Sequence, residues 1–127
     1  MRRDMRFYVT DHAEEQFIDR CKITKYKRDR VYDFSNVYDY SCTLTHTDES
    51  TNRTRTFNYF VCLRSAAVLC VAQDTNKITT VMTNGMKVLH YYRLYANRMN
   101  DLRDKFRMHI AQLRIQEIEQ KIGQIDA

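Results

Sequence analysis

Apolar and polar positions alternate over RFYVT, residues 6–10, and then fall into a helical rhythm at Ala13, Phe17 and Cys21. The first pattern predicts a strand and the second a helix, because side chains repeat every two residues in one and every 3.6 in the other. The helix start is legible: Asp11 is the expected cap, Glu14 follows three residues on as in a capping box, and Glu14, Glu15 and Asp19 take the wet side. It is predicted to end near Lys22. Thr24 offers a second start signal, followed by Val31, Phe34 and Tyr38 at helical spacing, so a second short helix is expected.

From Ser41 the period changes. SCTLTHT, residues 41–47, sets Cys42, Leu44 and His46 against Ser and Thr, and RTFNYFVCL brings Phe57, Tyr59, Val61 and Leu63 onto one face. With the polar DESTNR between them, these read as a hairpin. AAVLCVAQ is apolar on both faces and reads as a central strand; DTN turns it into KITTVMT, residues 77–83, and Asn84-Gly85 closes the sheet.

No breaker stands between Met86 and Gly123, and the apolar seam runs Val88, Tyr92, Tyr95, Met99, Leu102, Phe106, Leu113, with His109 inside it. It then shifts phase to Ile115, Ile118, Ile122 and Ile125. One helix from Met86 to Ile122 would be about 55 Å long, more than a domain of this size spans. Either Asn100 caps a second helix, with Asp101 and Asp104 in its first turn, or the helix is continuous and another copy of the chain buries its far end. The late isoleucines need cover in both cases. An oligomer interface is therefore expected at Met99, Leu102, Phe106, His109, Leu113, Ile118 and Ile122. With Met99 at heptad position a, Arg98 and Lys105 fall at g and Arg103 at e, which sets like charges together in a parallel pair and favours an antiparallel one or packing across a partner's sheet.

The expected architecture is α+β: two N-terminal helices packed on a mainly antiparallel sheet of four or five strands, over residues 1–85, plus a long C-terminal helix over 86–127. The 127 residues, 43% apolar and with no Pro, suit one domain without a linker. The longest apolar run, residues 66–72, falls far short of the roughly 20 residues a membrane-spanning helix needs, so no membrane partner is expected. MRRDMRFYVTDH lacks the apolar core of a signal peptide, which points to the cytoplasm. Four cysteines without a C-x-x-C pair read as packed thiols, and neither a metal nor a cofactor is expected. No H-x-x-x-H, Walker A or G-x-G-x-x-G motif occurs.

Charge and aromatics point toward an anionic partner. Net charge is +5, and nine tyrosines recur beside cations, as in Lys25-Tyr26-Lys27-Arg28 and His90-Tyr91-Tyr92-Arg93. Ring plus cation suits unpaired bases or a nucleotide; the same rings could simply line the core edge with their hydroxyls wet. His12 and Arg20 lie two turns apart on nearly one helix face, and a loop carrying Lys25, Tyr26, Lys27 and Arg28 beside them would complete an anion site. Alternatively, His12 locks the strand–helix corner and Arg20 pairs with Asp11 or Asp19.

Thr10-Asp11-His12-Ala13-x-x-x-Phe17-x-x-Arg20 resembles the opening H-A-x-x-R-(F/M)-x-x-R helix of the RelE/BrnT-like group of small proteins, found in toxin–antitoxin systems and phage genomes. The element order over residues 6–83 is similar to theirs, although Gln16 stands where that motif usually carries Arg. The resemblance implies a metal-independent ribonuclease, in which His12 would serve as base, Tyr26 or Tyr91 as acid, and Arg20 as the cation for the pentavalent phosphate. The reading taken from the chain as a whole is a phage or mobile-element protein that binds RNA or a nucleotide as a non-enzymatic oligomer, with no catalytic residue assigned. The alternatives are an inhibitor of a host defence or transcription protein, and the toxin-like ribonuclease.

Overall fold

The structure, a computed structural model, describes residues 4–21, 30–83, 86–99 and 103–126, with side chains as far as 123. Strands β1 (Arg6–Val9), β2 (Val31–Asp33), β3 (Asp39–Asp48), β4 (Arg53–Cys62), β5 (Ala67–Ala72) and β6 (Lys77–Met82) form a single sheet in the order β2-β1-β6-β5-β4-β3. β1 runs parallel to β6 and every other neighbour pair is antiparallel, so the sheet is mixed. Helix α1 (Asp11–Cys21) packs on one face; α2 (Val88–Arg98) and α3 (Arg103–Asp126) pack on the other.

Strand alternation builds both cores at once. In β4, Phe60 and Cys62 join Ala13 and Phe17 of α1, while Tyr59 and Val61 join Tyr92, Tyr95 and Phe106 on the opposite side. β5 has helices on both faces, and all six of its residues are buried, as its unbroken apolar run predicts. Each fully buried Phe or Val in these layers contributes about 1.5–3 kcal/mol through apolar burial.

Two expectations are overturned. The described residues hold one N-terminal helix, not two, on six strands rather than four or five. Val31, Phe34 and Tyr38 do not share a helix: Val31 pairs with Tyr8 and Tyr32 with Phe7, so the segment is an edge strand that covers the outer side of β1. Beyond it, Val37 and Tyr38 both donate their backbone N–H to the Phe34 carbonyl, at 3.1 and 2.9 Å. The four-residue spacing of Phe34 and Tyr38 thus reports a single turn, and hydrogen-bonding an open strand edge outweighed the helical spacing. Thr24 and the turn Asn84-Gly85 lie outside the described residues.

The continuous C-terminal helix is also replaced, by two helices, with the break near Asn100 that the first alternative expected. α2 ends at Arg98 and α3 begins at Arg103, with Met99 leaving the helix at φ −116° and ψ 75°. The proposed cap Asn100, with Asp101 and Leu102, lies outside the described residues. Tyr95 meets Phe106 edge to face at 4.4 Å, and Tyr92 meets His109 at 5.1 Å between ring centroids. Contacts that pair earlier residues of α2 with later ones of α3 mean that α3 folds back along α2 as a helical hairpin.

Candidate functional site

The stretch that drew attention as an anion site is used inside the fold. β1 ends at Val9, whereas the neighbouring β6 continues to Met82, so on that side β6 has backbone groups that no strand among the described residues reaches. α1 supplies partners for them. The Thr10 hydroxyl donates to the Ile78 carbonyl at 2.8 Å, the Gln16 Oε1 accepts the Val81 N–H at 2.7 Å, and an Arg20 Nη1 donates to the Val81 carbonyl. Gln16 also contacts His12, Nε2 to Nε2, at 2.8 Å, which leaves His12 exposed but tethered.

The helix start is corrected as well. Thr10, not Asp11, is the cap: its Oγ1 accepts the Ala13 N–H at 3.2 Å and its carbonyl accepts the Glu14 N–H at 2.8 Å. Asp11 and Glu14 instead pair with Arg30, whose own backbone is left-handed at φ 60°. Hydrogen bonding to Asp11 raises the Arg30 pKa, so this cation stays committed to carboxylates. Among the described residues Arg20 forms no ion pair with Asp11 or Asp19; its partner is backbone. Lys25, Tyr26, Lys27 and Arg28 lie outside the described residues. Tyr91 is buried on the face of α2, stacked on Tyr59 at 4.2 Å, whereas α1 with His12 lies across the sheet from it.

The expected oligomer residues divide. Phe106 and Leu113 are buried against α2 and the sheet of their own chain, and His109 is half-buried beside Tyr92. Met99, Ile118 and Ile122 are exposed. Leu102 lies outside the described residues.

A cationic groove that motif reading missed runs between α2 and α3. Its wider stretch, about 460 Å³, is lined by Arg93, Arg107 and Arg114 around Ile110, Ala111 and Ile115. The adjoining stretch, about 230 Å³, is lined by Arg93, Asn97, Arg103 and Arg107 with Ala96 and Ile110 beneath. Several cations elsewhere are occupied: Arg6 by Asp4, Arg30 by Asp11 and Glu14, Arg55 by Asp74, and Arg98 over the Tyr40 ring. Among the described residues, none of Arg93, Arg103, Arg107 and Arg114 forms an ion pair. The signal was present in the sequence as Arg103, Arg107 and Arg114 at four- and seven-residue spacing, but it becomes a site only once the helix folds back and sets Arg93 opposite.

A second pocket, about 380 Å³, lies on the β3–β4 hairpin among His46, Thr47, Asp48, Thr51, Arg53, Arg55 and Phe57. His46 is spoken for by the Tyr59 hydroxyl at 2.9 Å, and Arg55 leans over Phe57 and toward Asp74. Asp48 is the one carboxylate in its lining, and Asp74, outside the lining, takes Arg55. The four cysteines are free thiols, and burial raises the pKa of Cys21, Cys42 and Cys70, which keeps them protonated and unreactive. Among the described residues, no group of three His, Cys, Asp or Glu side chains is placed to hold a metal, and no helix is long and apolar enough to cross a membrane.

Comparison with protein-family models, with curated proteins and with solved structures finds no match to this chain.

Proposed function

We propose that this protein binds single-stranded RNA without cleaving it, through the groove between α2 and α3. The observation that carries the reading is the set of uncompensated guanidinium groups, Arg93 on α2 facing Arg103 and Arg107 on α3, with the Asn97 amide among them. Guanidinium is the side chain best shaped for phosphate oxygens, since its planar fork donates two parallel hydrogen bonds. From Arg103 to Arg114 the helix rises about 16 Å, so the row follows a backbone of several phosphates better than it encloses one nucleotide.

Anisotropy of a labelled single-stranded RNA oligonucleotide at low salt tests the reading. Binding is expected for the wild-type chain and is weakened by Arg103→Ala and Arg107→Ala together, with the helical signal unchanged. No binding at low salt, or binding indifferent to both substitutions, overturns it.

A second reading is supported by the groove floor. Ala96 and Ile110 offer apolar surface beneath the cations, which suits an acidic amphipathic segment of a host protein. A partner that stays bound after nuclease treatment and leaves when Ile110→Asp is introduced would favour it over RNA.

A further inference from the structure

α3 carries two apolar stripes, and only one of them is used by the fold. Phe106, Ile110 and Leu113 face α2 and the sheet. On a second face, whose Ala111 and Ile115 also border the groove, Met108, Ala111, Ile115, Ile118 and Ile122 follow one another at intervals of three, four, three and four residues, and all are exposed. Met108 is 70% exposed, and Ile115, Ile118 and Ile122 are each more than half exposed. α2 has 11 residues and α3 has 24, so α3 outruns its partner helix, and after Leu113 no residue through Gly123 is buried. The sequence extends the same stripe with Ile125.

We infer that this second stripe is the seam of a parallel three-stranded coiled coil between copies of the chain. The spacing places Met108, Ile115 and Ile122 at heptad position a, and Ala111 and Ile118 at d. Arg107, Arg114 and Lys121 then fall at g, while Gln112 and Glu119 fall at e, with Asp126 next in sequence.

Every g position is basic and no e position is, so the charge pattern decides the orientation. In a parallel, in-register assembly each g residue meets the e residue five places on in its neighbour, which sets Arg114 beside Glu119 of the next copy. In an antiparallel pair, g meets g and e meets e, leaving arginine against arginine. Isoleucine at both a and d favours three strands over two. The antiparallel preference drawn from Met99 belonged to the other stripe, which the hairpin of α2 and α3 consumes within one chain. Arg107 and Arg114 line the groove and also flank this seam, whereas Arg93 and Arg103 lie off it; the inference is drawn from the stripe and its charges and does not rest on the proposed function.

The test uses the full chain without RNA. Sedimentation equilibrium at tens of micromolar is expected to give three times the 15.3 kDa chain mass. A monomer or an antiparallel dimer overturns the inference, and a parallel dimer overturns its three-stranded count. Arg114→Glu and Glu119→Arg, each alone, are expected to weaken self-association by roughly tenfold or more, because each repeats a like-charge contact around the assembly, and the double variant is expected to recover most of it. Ile122→Cys is expected to form a disulfide-linked pair of chains on mild oxidation, because a parallel register brings the same a position together. Failure to cross-link while the mass stays trimeric overturns the parallel register. All these positions are exposed in the single chain, and circular dichroism confirms that each variant is folded.

Discussion

Tyr92 and His109 meet ring to ring across the α2–α3 hairpin, 5.1 Å between centroids, and only one of them has its polar atom satisfied. Tyr92 donates its hydroxyl to the Cys62 carbonyl, whereas the buried His109 Nε2 has no hydrogen-bond partner among the described residues. Burial lowers the His109 pKa below its ordinary 6.5, because the charged ring would lose its water. The unfolded chain therefore binds this proton more readily than the folded one. Stability from this residue is fully present above pH 6.5 and is lost as pH falls through that value toward the lower folded-state pKa. Urea midpoints measured from about pH 8 down to about pH 5 should fall, and His109→Leu should flatten that fall. An equally steep fall in the variant would assign the pH dependence to other groups.

Gln16 presents a second stability test. It is 8% exposed and its Oε1 is the partner of the Val81 N–H, a group that no strand among the described residues reaches. Gln16→Ala leaves that donor buried and unsatisfied, and a loss of about 1–3 kcal/mol is expected. Gln16→Glu keeps an acceptor in place and should lose less. His12→Ala, at an exposed position, should stay within about 0.5 kcal/mol. Chemical denaturation of the three variants at neutral pH ranks them. A His12→Ala loss as large as that of Gln16→Ala would give His12 a larger share in fixing the α1–β6 contact than its exposure indicates.

The strand faces were legible because period two needs no knowledge of neighbours: Phe57, Tyr59 and Val61 share a face in the structure as they do in the pattern. Strand order was not legible. Nothing local to Phe7, Tyr8 or Val9 says that they lie parallel to β6 across some 70 residues of chain, and the position of β1 decides which backbone groups Gln16 and Arg20 must satisfy. Val88, Tyr92, Tyr95, Phe106 and Leu113 of the seam are buried and Met99 is not, and one spacing serves both an intermolecular coil and a helix folded back on itself. Only the break after Arg98 tells them apart. The same break turns scattered arginines into a groove, which explains why motif reading settled on His12 and Arg20 instead.

Phe106 and Ile118 should behave oppositely if the two stripes of α3 have different tasks. Phe106 is fully buried and packs edge to face on Tyr95, so Phe106→Ala opens a cavity inside each chain and should cost about 3–5 kcal/mol at any protein concentration. Ile118 is 56% exposed in the single chain, so Ile118→Ala should leave a dilute sample's thermal midpoint nearly unchanged and lower it only where copies associate. Thermal unfolding followed over a hundredfold range of concentration separates the cases. A concentration-independent loss in Ile118→Ala would place its contacts within the chain.

The groove makes a quantitative claim about salt. If Arg93, Arg103 and Arg107 each neutralise one phosphate, the logarithm of the RNA association constant should fall against the logarithm of salt concentration with a slope of about −2, at roughly 0.7 per phosphate for a single strand. Removing one of the three arginines should reduce the slope by about 0.7 and weaken binding alike for different base sequences, since phosphate contacts carry no base information. The hairpin pocket is the natural control. Arg55 there is already drawn to Asp74, so Arg55→Ala should leave the slope unchanged. A slope that responds to Arg55 and not to Arg107 would move the RNA from the α2–α3 groove to the β3–β4 hairpin, where Phe57 and His46 supply rings for stacking.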